Sequence, residues 1–244
     1  MKIKIVEPVI NEEFVKETEK EVKKHVSEKT KFDVEMIKYG TVSIESSYDE
    51  TLCAPNIIKL IEKAEKDGFD GAFINCFSDP GLEGAREAVD IPVVGAGHAS
   101  IFFGAELCHR FSIITPVESS IHKDEITLLA EGMESKLASV RSVDIPVVDL
   151  EDKEKMTEAL IKESERAVKE DGAHGILLGC TGMIGLQDDI EHKMQDLGYY
   201  IPVIHPVPTS IKYLELLINM GLSQSKRTYM KPAKKKRNIM KLFE

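Results

Sequence analysis

The chain has 244 residues, of which 42% are apolar and 30% charged, with four cysteines and a formal net charge of −10. This is the balance of a globular, enzyme-sized protein with a large core, and four cysteines without a C-x-x-C pair exclude a disulfide scaffold and a dithiol or zinc motif. The longest uncharged stretch, Ile91 to Ala105, has 15 residues and contains Gly, Pro and His, which is short of the roughly 18 of a membrane span.

The elements alternate along the chain. Ile3-Lys4-Ile5-Val6-Glu7-Pro8-Val9 reads as a strand closed by proline. The amino terminus therefore enters a strand pattern directly, with no signal-peptide signature, and a cytoplasmic protein with free thiols is expected. Asn11 can cap a helix from Glu12 to about Ser27 that carries Phe14, Val15, Val22 and Val26 on one side. Ile57, Ile58, Ile61 and Ala64 stripe a second helix that stops at Gly68. A short apolar run, Gly71-Ala72-Phe73-Ile74-Asn75, then ends on Cys76. In the loop after it, Asp79 reads as a cap and Pro80 as the opening of the next helix, and Asp90-Ile91-Pro92-Val93-Val94-Gly95 follows.

The same order then returns. Phe111-Ser112-Ile113-Ile114-Thr115-Pro116-Val117 is again a strand closed by proline. Leu160, Ala167 and Val168 stripe a helix that stops at Gly172. Gly175-Ile176-Leu177-Leu178-Gly179 ends on Cys180, Cys180-Thr181-Gly182-Met183 leads into another helix, and Tyr200-Ile201-Pro202-Val203-Ile204-His205 closes the copy. A period of about 105 residues fits two similar domains rather than a solenoid. Alternating strands and helices predict an α/β fold, with parallel sheets covered on both faces and ligands held at the carboxyl ends of the strands. The expected division is a first domain of residues 1–103 plus 206–222, a second of 104–205, and a basic tail, 223–244. That tail holds eight basic residues (Lys226, Arg227, Lys231, Lys234, Lys235, Lys236, Arg237 and Lys241) against Glu244, a net +7 of the chain's −10, so the body carries −17. Such a body repels nucleic acid, and the tail reads as a flexible end or as an arm packed on an acidic surface.

Cys76 and Cys180 occupy equivalent places in the two copies, which points to one symmetric site; Cys53 and Cys108 read as packing residues. A helix amino terminus after each of the paired cysteines would favour the thiolate and offer N–H groups to a substrate oxygen. Two like groups facing each other across a cleft suit the removal of a proton from one face of a carbon acid and its return to the other, because each must serve as acid in one direction and as base in the reverse.

The strings Gly40-Thr41-Val42-Ser43-Ile44-Glu45-Ser46-Ser47-Tyr48-Asp49-Glu50, Asn75-Cys76-Phe77-Ser78-Asp79-Pro80-Gly81-Leu82, Phe111-Ser112-Ile113-Ile114-Thr115 and Gly179-Cys180-Thr181-Gly182-Met183 resemble the aspartate/glutamate/hydantoin racemase superfamily, and most closely its hydantoin and allantoin racemase branch. The resemblance implies two flavodoxin-like domains related by a pseudo-twofold axis, an active site in the cleft between them, no cofactor, a small-molecule substrate and a homo-oligomer. It makes Cys76 and Cys180 the acid/base pair and implies a pocket lined by Glu7, Ile44, Tyr48, Phe77, Ser78, Asp79, Thr115, Pro116, Thr181 and Gly182. Donors from Ser78, Asp79, Thr115, Thr181 and Gly182 would hold a ring carbonyl and nitrogen. Two departures fall at strand ends: Glu7 stands where the family carries asparagine before the proline, and His205-Pro206 stands where an Asp-Gly type sequence is usual. They leave the substrate open between a 5-substituted hydantoin or related ureide and an amino acid whose ammonium pairs with Glu7. A non-catalytic ligand-binding protein is the reading from another class. His98 and His205 read as structural histidines.

Overall fold

The computed structural model describes residues 1–147 and 153–236. Its first sheet consists of β1 (Lys2–Glu7), β2 (Lys31–Met36), β3 (Gly71–Ile74) and β4 (Val93–Gly95), all parallel, in the order β2-β1-β3-β4. The second repeats it with β5 (Phe111–Thr115), β6 (Leu137–Ser142), β7 (Ile176–Leu178) and β8 (Val203–Ile204), in the order β6-β5-β7-β8. The repeat in the sequence is therefore a repeat of topology, and the fold is α/β with two similar halves. The inner strands β3 and β7 are buried along their whole length. That is why they read as continuous apolar runs, since a parallel sheet covered on both faces has no polar side to alternate with.

Eight α-helices are seen among the described residues: α1 (Glu12–His25), α2 (Ser47–Lys66), α3 (Leu82–Ala88), α4 (Ala96–Leu107), α5 (Ile121–Ala130), α6 (Lys153–Asp171), α7 (Gln187–Asp196) and α8 (Pro206–Asn219). The Asn11 side chain caps α1 by accepting from the Glu13 N–H at 3.0 Å. Gly68 and Gly172 follow α2 and α6 at φ +74° and +70°, so the chain turns there in a conformation that glycine adopts without steric cost.

Each sheet has a core on either face. Ile57 and Ile61 of α2 and Leu82 and Ala85 of α3 cover one face of the first sheet, against Val6, Ala72 and Ile74; Leu160, Ala167, Ile190 and Met194 cover the matching face of the second. The other faces are covered by exchange. Helix α8 leaves β8 of the second sheet yet packs Val207, Ile211 and Leu214 against Ile3, Ile5 and Phe73 of the first. Helix α4 leaves β4 of the first sheet yet puts Ile101 among Phe111, Ile113, Leu177 and Ile204 of the second. Each of these fully buried Ile, Leu and Phe side chains contributes about 1.5 to 3 kcal/mol. The crossed helices therefore bind the halves to one another with core-like contacts.

The start of the basic tail is not a free arm. Gln224 Nε2 donates to the Ile91 and Val89 carbonyls at 2.8 and 3.1 Å, Lys226 Nζ donates to the Arg86 carbonyl at 2.7 Å, Lys231 pairs with Asp90, and Tyr229 lies against Arg86. These contacts strap the segment after α8 over the carboxyl end of α3. Arg237 and Lys241 lie outside the described residues. Among the described residues no helix is long and apolar enough to cross a membrane.

Candidate active site

The chain order of each sheet reverses between two neighbouring strands, β1 and β3 in the first and β5 and β7 in the second, and ligands of open α/β sheets lie outside the carboxyl ends of strands at such a point. Glu7 is the last residue of β1 and Thr115 the last of β5, while Cys76 and Cys180 stand two residues beyond β3 and β7. All four line one cavity of about 100 Å³.

The register explains the wall. Val6 pairs with Ile74, so Glu7 meets Asn75, and Asn75 Nδ2 donates to Glu7 Oε2 at 2.8 Å while Thr18 of α1 donates to the same oxygen at 3.0 Å. In the second half Ile114 pairs with Leu178, so Thr115 meets Gly179. A Cβ on Gly179 would lie 2.9 Å from the Ile114 carbonyl oxygen, and glycine lets the turn before Cys180 close onto β5. Thr181 crosses between the halves, its Oγ1 donating to the Asn75 carbonyl at 3.1 Å. Phe77, next to Cys76, is buried in the core of the second half.

Ile44, Phe77, Ser78, Pro116, Thr181 and Gly182 complete the part of the wall expected from sequence. Two expected residues stand outside it. Tyr48, on the first turn of α2, is 73% exposed and is not part of the cavity wall. Asp79 has φ +51°, and its carboxylate accepts the N–H groups of Gly97 at 3.0 Å and His98 at 2.7 Å. It caps α4, the crossing helix, and not the helix after Pro80, which starts at Leu82 behind Gly81 with no side-chain cap. His98 sits between Asp79 and Glu131, 3.1 Å from the latter, and His205 caps α8 by accepting from the Val207 N–H at 3.2 Å. Burial pushes the His205 ring down to about 4, so it is neutral. Cys53 and Cys108 are buried.

The thiols do not sit at helix amino termini, because the helices that follow them begin only at Leu82 and Gln187. Local contacts remain: Ser78 Oγ lies 3.3 Å from Cys76 Sγ, and the Gly182 N–H donates to Cys180 Sγ at 3.3 Å. Burial outweighs them. Desolvation pushes the Cys76 thiol up to about 12, helped by the neighbouring Cys180 and Asp79; it pushes Cys180 up to about 11, helped by Glu7, Glu45 and Asp124. Both are neutral thiols at neutral pH. Burial likewise raises Glu7 to about 7 against its two hydrogen bonds.

Sequence reasoning missed the residues that bring α1, α2 and α5 to the cleft. Asn75 and Thr18 order Glu7. Ser46 caps α2, and its hydroxyl meets Asp49 at 2.7 Å, which fixes the loop that carries Ile44 and Glu45. Glu45 then ties that loop to the second half: its carboxylate accepts the Val147 N–H at 3.0 Å and its carbonyl accepts from Ser119 Oγ at 3.0 Å. Lys123 of α5 pairs with Glu50 of α2 across the same mouth. Among the described residues, five carboxyl side chains line the cavity (Glu7, Glu17, Glu45, Glu50 and Asp124) against the one cation Lys123. Among the described residues no three His, Cys, Asp or Glu side chains are grouped as metal ligands would be.

Comparison with known proteins agrees with this architecture. The family model described as Asp/Glu/Hydantoin racemase matches residues 3–214. A hydantoin racemase of Pseudomonas sp. (strain NS671) is 38% identical over 237 residues, 96% of this chain and 93% of the relative. Among solved structures, the allantoin racemase from Klebsiella pneumoniae superposes with a TM-score of 0.89 at 30% identity, over 96% of this chain and 95% of the other. The allantoin racemase AllR from Pseudomonas fluorescens superposes with a TM-score of 0.90 at 28% identity, over 97% and 99%. The chain belongs to the Asp/Glu/hydantoin racemase family and is an isomerase of the racemase class.

Proposed function

We propose that this chain racemises 5-substituted hydantoins or a related cyclic ureide such as allantoin, without a cofactor, by moving a proton between Cys76, Cys180 and the carbon alpha to a ring carbonyl. The observation that carries the reading is the equivalent placement of the two thiols, each two residues past an inner strand, on the wall of one cavity. One sulfur acts as thiolate and takes the alpha proton. The electron pair of the broken C–H bond moves onto the carbonyl oxygen as an enolate, and the other thiol returns a proton to the opposite face of the carbon. The sulfurs exchange states with each turnover, so their titrations are coupled.

The cavity's charge supports a neutral ring. Even leaving aside Glu7 and Asp124, whose carboxyls are raised by burial, the three carboxyl groups of Glu17, Glu45 and Glu50 against one ammonium disfavour the carboxylates of an amino acid, whereas a ureide brings no charge into a desolvated site. Glu7 offers its carboxyl to a ring N–H, in place of the asparagine usual in the family. It is also the one feature that favours an amino acid, since its carboxylate would pair with an ammonium. Substitution Glu7→Asn separates the two: ureide turnover should be kept or improved, and amino-acid turnover should fall about thirtyfold or more through loss of a buried charge partner.

The direct test is chiral chromatography of enantiopure 5-benzylhydantoin and of allantoin incubated with the enzyme, from both enantiomers. Interconversion in both directions, abolished in both Cys76→Ser and Cys180→Ser, is the expected result. Full activity in either variant would end the two-thiol mechanism.

A further inference from the structure

Asp124 lies in the first turn of α5 and is 6% exposed. Among the described residues neither of its carboxyl oxygens has a hydrogen-bond partner, and Oδ2 is fully buried. Leaving such a group unpaired typically costs about 1 to 3 kcal/mol. Here the group lines the cavity that holds both thiols, so a bound ligand is the partner within reach.

Among the described residues, the hydroxyls of Ser47, Thr115 and Ser120 on the wall have no hydrogen-bond partner, while several other donors there are engaged. Asn75 Nδ2 and Thr18 Oγ1 serve Glu7, Thr181 Oγ1 serves the Asn75 carbonyl, Ser119 Oγ serves the Glu45 carbonyl, and Lys123 is held by Glu50. Enolate formation needs a donor at the carbonyl oxygen, where the charge gathers. A protonated carboxyl is such a donor, and a carboxylate is not.

We infer that Asp124, in its neutral form, is a further catalytic residue that donates a hydrogen bond to the substrate carbonyl oxygen as the alpha proton leaves. The inference rests on the ureide racemase reading above. The carboxyl proton stays on Asp124 throughout; only the C–H bond breaks, and its electron pair moves onto the oxygen that Asp124 faces. The charged or titratable groups around Asp124 are Lys123 and Glu125 on its own helix, Asp79 from the loop after β3 and Cys180 from the loop after β7; Glu50 of α2 reaches Lys123. Burial raises the carboxyl, Lys123 lowers it, and Asp79 and Glu125 raise it again, to about 8.

The pH profile of kcat/KM tests this. An active form with Asp124 protonated and one thiol ionised rises about tenfold per pH unit up to about 8, then stays level as loss of the carboxyl proton offsets gain of thiolate. Asp124→Asn keeps an N–H donor and cannot ionise. Its rate should go on climbing, so that the variant-to-wild-type ratio grows about tenfold between pH 8.5 and 9.5. Asp124→Leu, with no donor, should lose about 100- to 1000-fold in kcat, with KM changed much less. The asparagine variant keeps the shape of the side chain and decides the matter even if the leucine variant fails to fold. Glu7→Gln should leave the break near pH 8 in place. The inference is overturned if the asparagine and leucine variants are equally impaired, if the asparagine variant levels off where wild type does, or if the break moves only in Glu7→Gln. Wild type inactive on both enantiomers of 5-benzylhydantoin and of allantoin would sink the ureide reading and this inference with it; an active wild type isolates the role of Asp124.

Discussion

Glu7 gives a quantitative test of the electrostatics at the floor of the cleft. Its carboxyl is 3% exposed, accepts from Asn75 and Thr18 on one oxygen, and is raised by burial from 4.5 to about 7. A folded-state value above the unfolded one means that the folded protein holds this proton more tightly. The contribution of Glu7 to stability is therefore complete below pH 4.5 and declines as pH rises through 7. The difference of about 2.5 between the two values, at 1.36 kcal/mol each, makes that decline about 3 kcal/mol. Glu7→Gln keeps an oxygen for Asn75 and Thr18 and removes the titration, so whatever constant effect the amide has, the pH-dependent part disappears. Urea unfolding of both proteins from pH 4.5 to 8.5 should show the variant gaining on wild type by about 3 kcal/mol across that range. For a chain of this size that is roughly 6 to 12 °C in Tm. A difference that stays flat with pH would refute the reasoning, because it would mean that Glu7 ionises in the fold as it does in water.

Four other substitutions have distinct expected outcomes. In deuterium oxide, Cys76→Ser and Cys180→Ser should each still exchange the alpha proton of one enantiomer only, Cys180 serving the L face and Cys76 the D face by resemblance to the family; proton NMR of each enantiomer reads this out, and exchange of both enantiomers by one single variant would contradict the one-thiol-per-face arrangement. Asp79→Ala removes the cap of α4 and should cost about 1 to 2 kcal/mol of stability, measured as a lower urea midpoint. Tyr48→Ala should leave kcat/KM within about twofold of wild type, since its ring stands outside the cavity, and a larger loss would place Tyr48 on the substrate after all.

The parts of this protein that were legible in its sequence are those in which local pattern and tertiary role coincide. Strand-proline, striped helix, glycine stop and apolar run ending on cysteine recur twice, and the structure turns each recurrence into the same strand order. The strand ends put Glu7, Thr115 and both thiols on one wall because a parallel sheet sends all its carboxyl ends the same way. What local pattern misreads is Asp79. A residue of that type just before proline has the signature of a cap for the next helix, yet its carboxylate turns to α4, whose amino terminus comes within 2.7 Å only through the fold. Asp124 and Thr18 were invisible for a related reason. Each looks like one polar residue on an amphipathic helix, and nothing local distinguishes a carboxyl that meets solvent from one enclosed in a cleft.

The exchange of α4 and α8 between the sheets bears on how the thiols can work. Each thiol belongs to a different half, so their separation is set by how firmly the halves are joined. A simple linker would let the cleft widen. Here Ile101 of α4 is part of the second core, Val207, Ile211 and Leu214 of α8 are part of the first, and Phe77, adjacent to Cys76, is sealed into the second. Opening the cleft at its base would expose several fully buried side chains at about 1.5 to 3 kcal/mol each. The contacts at the mouth are of another kind: the Glu45 bonds to Val147 and Ser119 and the Lys123–Glu50 pair are polar and partly exposed, each worth about 1 kcal/mol or less net. Parting the polar mouth is therefore the less costly way to open the cleft, and it leaves the contacts at the base, beside the two sulfurs, intact. That division of strengths suits a reaction in which one carbon must be reached from both sides by groups that do not move.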